Sequence, residues 1–169
     1  MSLLPVRIVV PAVLIALLTV AGCGSRDAVP AADATGGESA DLVFTARTLD
    51  GASFDGTSLA GRPAVLWFWA PWCPTCRAQA PAVARLAKRY EGQVSVLGVG
   101  GLAAAADIRA FAEQVDGPLH LVDEPGEVWR HFGVTAQSTY LVIDGEGRVV
   151  DDGYLDDDDL AAEVARLVG

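Results

Sequence analysis

The fold is decided by the stretch Ala64-Val65-Leu66-Trp67-Phe68-Trp69-Ala70-Pro71-Trp72-Cys73-Pro74-Thr75-Cys76. Its first six residues form a continuous apolar run, which is typical of a central strand covered on both faces. After the second cysteine, apolar residues recur at helical spacing, at Ala80, Val83, Leu86 (or Ala87) and Tyr90. Two cysteines separated by two residues, between a strand and a helix, are typical of a redox-active pair. The stretch therefore predicts a buried strand, a helix and two reactive thiols between them.

The position of Cys73 at the start of the helix favours its thiolate form. Its sulfur faces unpaired backbone N–H groups and the positive end of the helix dipole. Pro74 suits the first helical turn, where its missing N–H is not needed. Cys76 follows one turn later, close enough to form a small disulfide with Cys73. We predict that Cys73 is the exposed attacking nucleophile, that Cys76 is the more buried resolving thiol, and that Trp72 shapes the rim of the site.

The rest of the chain predicts strands that alternate with helices. Leu42, Phe44 and Ala46 have the period of a half-buried strand, and Asp50-Gly51 supplies a turn, so that an N-terminal β-hairpin is expected. Further strands are predicted at residues 94–99, 119–122, 140–143 and 148–150, and helices around residues 108–115, 125–132 and 160–167. This order predicts an α/β fold with a mixed central sheet flanked by helices and an N-terminal β-hairpin.

The N-terminus has the pattern of an export signal. Residues 1–22 contain a single charge and an apolar run that is too short to span a bilayer as a helix. Val20-Ala21-Gly22-Cys23 resembles the bacterial lipobox, in which the cysteine is lipidated and becomes the first residue of the mature chain. An ordinary signal peptide with an incidental cysteine is the alternative. We predict a lipoprotein signal peptide at 1–22, a lipidated Cys23 with a flexible tether at 23–40, and one folded domain at 41–169.

Length, charge and cysteine content limit the function. The 169 residues suffice for one domain with a substantial core. The net charge of −10 becomes −11 when the signal and its single arginine are removed, and such acidity argues against nucleic acid as a partner. If Cys23 carries lipid, Cys73 and Cys76 remain as one pair in an oxidising compartment.

The cysteine pair has two other interpretations. Half of a zinc site is one, but zinc requires four ligands, and the two histidines, His120 and His131, are 44 or more residues away. A purely structural disulfide is the other, although such a short loop gains little stability from closure. We expect neither a metal nor a cofactor.

A glycine-rich run follows the second predicted strand. Gly98-Val99-Gly100-Gly101-Leu102-Ala103 matches the pattern of a dinucleotide-binding loop. The strand before it is not the first of the domain, however, and the remaining chain leaves no room for a catalytic domain. A glycine-rich crossover loop is the preferred interpretation.

Residues 69–76, together with Pro81 after the second cysteine, resemble the thioredoxin superfamily. The hairpin at Thr48-Leu49-Asp50-Gly51, the inserted strand and helix before Gly133-Val134, and the lipidated tether are similar to its extracytoplasmic TlpA/DsbE-like branch, in particular to actinobacterial lipoproteins. The resemblance implies a thiol–disulfide oxidoreductase, anchored to the cell membrane as a lipoprotein, with a membrane redox partner. The substrates that the resemblance implies are thiols or disulfides of cell-envelope proteins, and the resemblance favours oxidation of these substrates over reduction.

Three positions depart from the family pattern. TlpA-like proteins commonly carry Glu at the position of Gln79, and the buried Asp of thioredoxin falls on Trp67. The usual cis-proline falls on Ser138. Because a cis bond costs about 2.5–4 kcal/mol before a residue other than proline, we expect the Gln137-Ser138 bond to be trans. Gln79, Gln137 and Ser138 are thus expected to shape the site. Gln79 and Ser138 are expected to attenuate activity, and a proline at position 138 is expected to raise it.

These departures leave two other functional hypotheses open. A thioredoxin-fold binding module could retain the disulfide as a residual feature. A metal-delivery protein is a further alternative, although no histidine lies near the cysteine pair in the sequence.

Overall fold

The computed structural model describes residues 37–169. The predicted signal peptide, Cys23 and most of the tether lie outside the described residues. Within the described part, the elements follow in chain order. They are β1 (Thr45–Arg47), β2 (Ser53–Asp55), a 3₁₀ turn (Gly56–Leu59), β3 (Ala64–Trp69), α1 (Pro74–Arg89), β4 (Ser95–Gly100), α2 (Ala105–Ala112), β5 (Leu119–Val122), α3 (Glu127–His131), β6 (Thr139–Ile143), β7 (Val149–Gly153) and α4 (Asp157–Val168). None of these helices has both the length and the apolar character needed to cross a membrane.

The central sheet has five strands in the order β5-β4-β3-β6-β7. β3 pairs in parallel with β4 and antiparallel with β6, and each of its six residues is buried. β1 and β2 form a separate antiparallel hairpin. The predicted α/β fold, with a mixed sheet, flanking helices and an N-terminal hairpin, is confirmed.

The central strand divides the core into two layers because successive side chains point to opposite faces. Val65, Trp67 and Trp69 belong to the layer that also contains both cysteines and buried residues of α1, α2 and α4. Leu66 and Phe68 belong to the other layer, with buried residues of the hairpin region and α3. The cysteine pair therefore lies against the layer that contains the two tryptophans of β3.

Two boundaries differ from the predictions. β1 begins at Thr45 rather than at Leu42, because the N–H of Phe44 bonds locally to the carbonyl of Leu42 and the ladder starts later. α2 ends at Ala112 although the apolar period continues to Val115, because Val115 donates its N–H to Ala112 in a tighter turn. In both places a local backbone hydrogen bond replaces the regular pattern.

The glycine-rich run has a packing explanation. Trp67 and Trp69 of β3 lie opposite Gly98 and Gly100 of β4 in the parallel register. A Cβ atom on Gly100 would come within 2.7 Å of the Trp69 ring. On Gly101 it would come within 2.6 Å of the Trp129 indole nitrogen. The glycines thus make room for indole rings, which accounts for the run without a nucleotide.

Candidate active site

Cys73 lies at the N-cap of α1, just after the short turn that follows β3. Pro74 occupies the first helical position, and the Cys73 N–H donates to the carbonyl of Ala70 at 3.1 Å. The Cys73 sulfur accepts a hydrogen bond from the backbone N–H of Cys76, with 3.1 Å between nitrogen and sulfur. A side chain at this position normally caps the helix by accepting from a first-turn N–H, and here the sulfur does so. The local geometry therefore stabilises negative charge on Cys73.

The two thiols have opposite acidities. Burial alone raises the pKa of Cys73, but hydrogen bonds from the Cys76 thiol, the Ser138 hydroxyl and backbone N–H groups outweigh it and hold the pKa below its ordinary value. Burial and, to a smaller extent, the neighbouring Cys73 raise the pKa of Cys76 to about 11. Both cysteines are free thiols. Cys73 is thus the more acidic of the two thiols, and Cys76 keeps its proton at neutral pH.

Cys73 is not exposed, contrary to the prediction from sequence. Its exposed fraction is 3%, and that of Cys76 is 0%. The loop before β6 brings the Ser138 side chain to the two sulfurs, with Ser138 Oγ 3.2 Å from each of them. A partner sulfur therefore has only a narrow approach to Cys73.

Ser138 has an unusual backbone conformation at the position of the family's cis-proline. Its φ is +67°, and the described residues contain no cis peptide bond, so that the Gln137-Ser138 bond is trans. The Ser138 N–H donates to the carbonyl of Phe68 at 2.9 Å. Proline has no N–H and a φ fixed near −65°. The expectation that a proline here would raise activity is therefore incompatible with this backbone.

The three departures from the family pattern form one hydrogen-bonded chain. The indole N–H of Trp67 donates to Gln79 Oε1 at 2.9 Å, and Gln79 Nε2 donates to the Ser138 carbonyl at 3.5 Å. All three residues are buried. The chain runs from the central strand through α1 to the residue that touches both sulfurs.

The outer rim of the site is apolar and strained. Trp72 is 54% exposed, and its indole N–H donates to the Leu102 carbonyl at 3.0 Å. Leu102 is 49% exposed and has a φ of +57°. Within the described residues, Leu102 and Ser138 are the only residues other than glycine with positive φ. The backbone outliers therefore lie on two sides of the cysteine pair.

A cavity of about 300 Å³ borders Trp72 between α1 and α2. Arg77 lines it, donates to the Pro71 carbonyl at 2.5 Å and lies 5.4 Å from the centre of the Phe111 ring. The sequence did not identify Arg77 or Leu102 as residues of the site, because neither belongs to a motif that indicates redox chemistry. Gln137, which was predicted to shape the site, is half-buried next to Ser138.

No metal cluster is evident in the part of the chain that the structure describes. No group of three or more His, Cys, Asp or Glu side chains there could hold a metal ion. His120 is buried against Trp69, and its Nε2 lies 2.9 Å from the carbonyl of Val115.

Comparison with known proteins gives consistent results. The model of the Redoxin family matches residues 26–167. The soluble secreted antigen MPT53 of Mycobacterium tuberculosis is 36% identical over 164 residues, which cover 92% of this chain and 89% of that protein. The thiol:disulfide interchange protein DsbE of Xylella fastidiosa is 34% identical over 141 residues, covering 81% of this chain and 70% of that protein.

Two solved structures are similar over the folded domain. Mycobacterium tuberculosis (MTB) dsbF is 44% identical, with a TM-score of 0.70, and the match covers 75% of this chain and 96% of that one. A secreted M. tuberculosis disulfide oxidoreductase homologous to E. coli DsbE is 35% identical, with a TM-score of 0.69 and coverage of 75% and 97%. The chain therefore belongs to the Redoxin family and is a thioredoxin-fold thiol–disulfide oxidoreductase.

Proposed function

We propose that this enzyme exchanges disulfides with the thiols of cell-envelope proteins through Cys73 and Cys76. The observation that carries the proposal is the Cys73 sulfur at the N-cap of α1, 3.1 Å from the Cys76 N–H, with the more buried Cys76 one turn behind it. A thiolate at a helix N-terminus is a good nucleophile and a good leaving group.

The exchange takes place in two steps. A substrate thiol gives up its proton as its sulfur attacks the Cys73 sulfur of the Cys73–Cys76 disulfide, so that a mixed disulfide forms and Cys76 leaves with the electron pair. A second substrate thiolate then attacks the substrate sulfur of the mixed disulfide, and Cys73 leaves as the thiolate. The substrate loses two electrons and becomes a disulfide, while the enzyme becomes the dithiol. A membrane redox partner then reoxidises the pair.

Oxidation of the substrate is the proposed direction. Hydrogen bonds that hold the pKa of Cys73 down stabilise the reduced enzyme, and a stabilised reduced form makes a disulfide a stronger oxidant. We therefore expect a reduction potential less negative than that of thioredoxin, which is about −270 mV.

The reduction potential and the Cys73 pKa of the soluble domain test the proposal, together with assays of thiol oxidation and insulin reduction. Cys76→Ser should accumulate mixed disulfides with substrate, because the second thiol is absent, and Cys73→Ser should form none. A Cys73 pKa at the ordinary value of a cysteine thiol, with no turnover in either direction, would overturn the proposal.

We further propose that Cys23 is lipidated after removal of residues 1–22, and that residues 23–40 tether the domain of residues 41–169 to the outer face of the cell membrane. The lipobox-like residues before Cys23 and the apolar run ahead of them support this. The relative MPT53 is described as secreted, which fits export. Cys23→Ser should move the protein from the membrane fraction to the soluble fraction. Unchanged fractionation would contradict lipidation.

A further inference from the structure

Ser138 has the only hydroxyl, among the described residues, that is hydrogen-bonded to both sulfurs of the pair. Its Oγ lies 3.2 Å from Cys73 Sγ and 3.2 Å from Cys76 Sγ, and either atom of each pair can be the donor. Ser138 is 7% exposed, so that bulk water has little access to the contact. One hydroxyl can donate its proton to one sulfur while it accepts a proton from the other side.

We infer that the Ser138 hydroxyl is a catalytic group that passes a proton between the substrate sulfur and Cys76 as the disulfide bonds exchange. This inference rests on the proposed function of the Cys73–Cys76 pair. It assigns a role in proton transfer to the residue at the position where the family usually has proline.

In the first step, the Ser138 hydroxyl both donates and accepts a proton. The substrate thiol attacks Cys73, a bond forms between the substrate sulfur and Cys73, and the Cys73–Cys76 bond breaks. Ser138 gives its proton to the departing Cys76 sulfur and takes the proton of the attacking thiol, so that the hydroxyl is restored. In the reverse step, Cys76 attacks Cys73, and the same two protons move the other way.

The chemistry of Cys76 requires such a group. Burial raises the pKa of this thiol to about 11, so that a bare Cys76 thiolate is a poor leaving group at neutral pH. The side chain of Gln79 is an amide, which does not take up a proton. The hydroxyl of Tyr140 is buried nearby and has no hydrogen-bond partner among the described residues. Ser138 is thus placed to transfer the proton, and Tyr140 is not.

Gln79 acts through Ser138 as a positioning residue. Its amide nitrogen donates to the Ser138 carbonyl at 3.5 Å, and its oxygen is fixed by the Trp67 indole at 2.9 Å. The Ser138 N–H is in turn bound to the Phe68 carbonyl at 2.9 Å. These contacts hold the backbone of Ser138 from both ends and leave its hydroxyl directed at the sulfurs.

The test compares Ser138→Ala with Ser138→Gly in single-turnover reactions of the full domain with a monothiol and a dithiol. Both variants lack the hydroxyl, but glycine adopts a positive φ without strain, so that Ser138→Gly should fold at least as stably as the wild type. We expect both to slow the release and the attack of Cys76 by about 10-fold to 100-fold at neutral pH. The rate of attack by Cys76 should recover as the pH rises towards its pKa, because the thiol then ionises without help.

Reaction of the Cys73 thiolate alone provides the control. In the Cys76→Ser variant, Cys73 attacks a disulfide without help from Cys76. When the Ser138 hydroxyl is also removed, the second-order rate constant of this attack should change less than about threefold, compared at pH values where the fraction of Cys73 thiolate is the same. Wild-type Cys76 rates in both Ser138 variants would overturn the inference. So would full recovery in Ser138→Gly alone, which would show that only the backbone conformation matters.

Failure of the underlying function gives a different result. If neither the wild type nor Cys76→Ser forms a mixed disulfide with substrate, the proposed exchange is wrong. If both form it and the Ser138 variants resolve the mixed disulfide at the wild-type rate, only the inferred proton transfer is wrong. For Gln79, the readout is the pH dependence of the Cys76 step. Gln79→Met, which removes the bond to the Ser138 carbonyl, should shift it towards that of Ser138→Ala, and Trp67→Phe, which removes only the N–H that fixes Gln79, should shift it less.

Discussion

Leu102 and Ser138 have positive φ angles, in the left-handed region of backbone conformation that L-amino acids avoid. The left-handed conformation costs such a residue about 1–2 kcal/mol. The Leu102 carbonyl accepts a hydrogen bond from the indole N–H of Trp72, and the Ser138 N–H donates to the carbonyl of Phe68; these bonds hold both residues in this conformation. Strain of this kind persists where surrounding contacts fix it, and it is frequent at active sites. The cost in conformational free energy therefore falls on residues that contact Trp72 and the two cysteine sulfurs.

Replacing Leu102 with glycine should release part of this strain. We expect Leu102→Gly to increase the free energy of unfolding by about 1 kcal/mol relative to Leu102→Ala, because alanine keeps the Cβ atom that disfavours a positive φ. Urea denaturation of the two variants measures the difference. Equal stabilities would mean that the Leu102 backbone is not strained.

The sequence predicted the cysteine pair, the helix start and the trans bond before Ser138. It also identified Gln79, Trp67 and Ser138 as unusual. Their connection was not predictable, because Gln79 and Ser138 are 59 residues apart and only the packing of α1 against the loop before β6 joins them. The positive φ of Ser138 was not predictable either, since serine gives no signal for that conformation.

At the scale of elements, β3 and β4 are fitted to each other. The tryptophans of β3 alternate in the same period as the glycines of β4. The Trp69 ring lies against both Gly98 and Gly100 and fills the space that these glycines leave, and the Trp67 ring is 5.7 Å from it. Both patterns are visible in the sequence, but their register is not, because it depends on how the two strands pair.

Gly100→Ala should destabilise the domain by about 1–3 kcal/mol, because its Cβ would meet Ile108 at 2.6 Å and Trp69 at 2.7 Å, and the core must shift to accept it. Gly145→Ala is the matched control. Its Cβ would meet Pro63 at 3.7 Å, which is an ordinary contact, and a change of less than about 0.5 kcal/mol is expected. Equal effects of the two substitutions, measured by chemical denaturation, would contradict this account of β4.

At the scale of the whole molecule, a titratable group in the core links stability to pH. His120 lies in β5 with 4% of its surface exposed, edge-on to the Trp69 ring. Burial lowers its pKa below the ordinary value, although the bond to the Val115 carbonyl acts in the other direction. The folded chain therefore takes up this proton at a lower pH than the unfolded chain does.

The sign of the pH effect follows from this difference. Below about pH 6.5 the unfolded chain protonates the histidine first, so that the folded state loses stability as the pH falls towards the folded pKa, by up to about 1.4 kcal/mol per pH unit. His120→Gln, whose amide can still donate to Val115, should show a flatter dependence between pH 7 and pH 5. Urea denaturation across this range measures both slopes. Parallel curves would mean that His120 does not contribute.

The hydrogen-bonded chain from Trp67 through Gln79 to Ser138 constrains how this enzyme could have evolved. A glutamate at position 79 alone would set a carboxylate against the Ser138 carbonyl, and a proline at position 138 alone would remove the N–H that binds Phe68. Each single substitution would leave a buried polar group without its partner, and such groups are costly. The three positions therefore form an epistatic unit, and among its relatives they should change together or not at all.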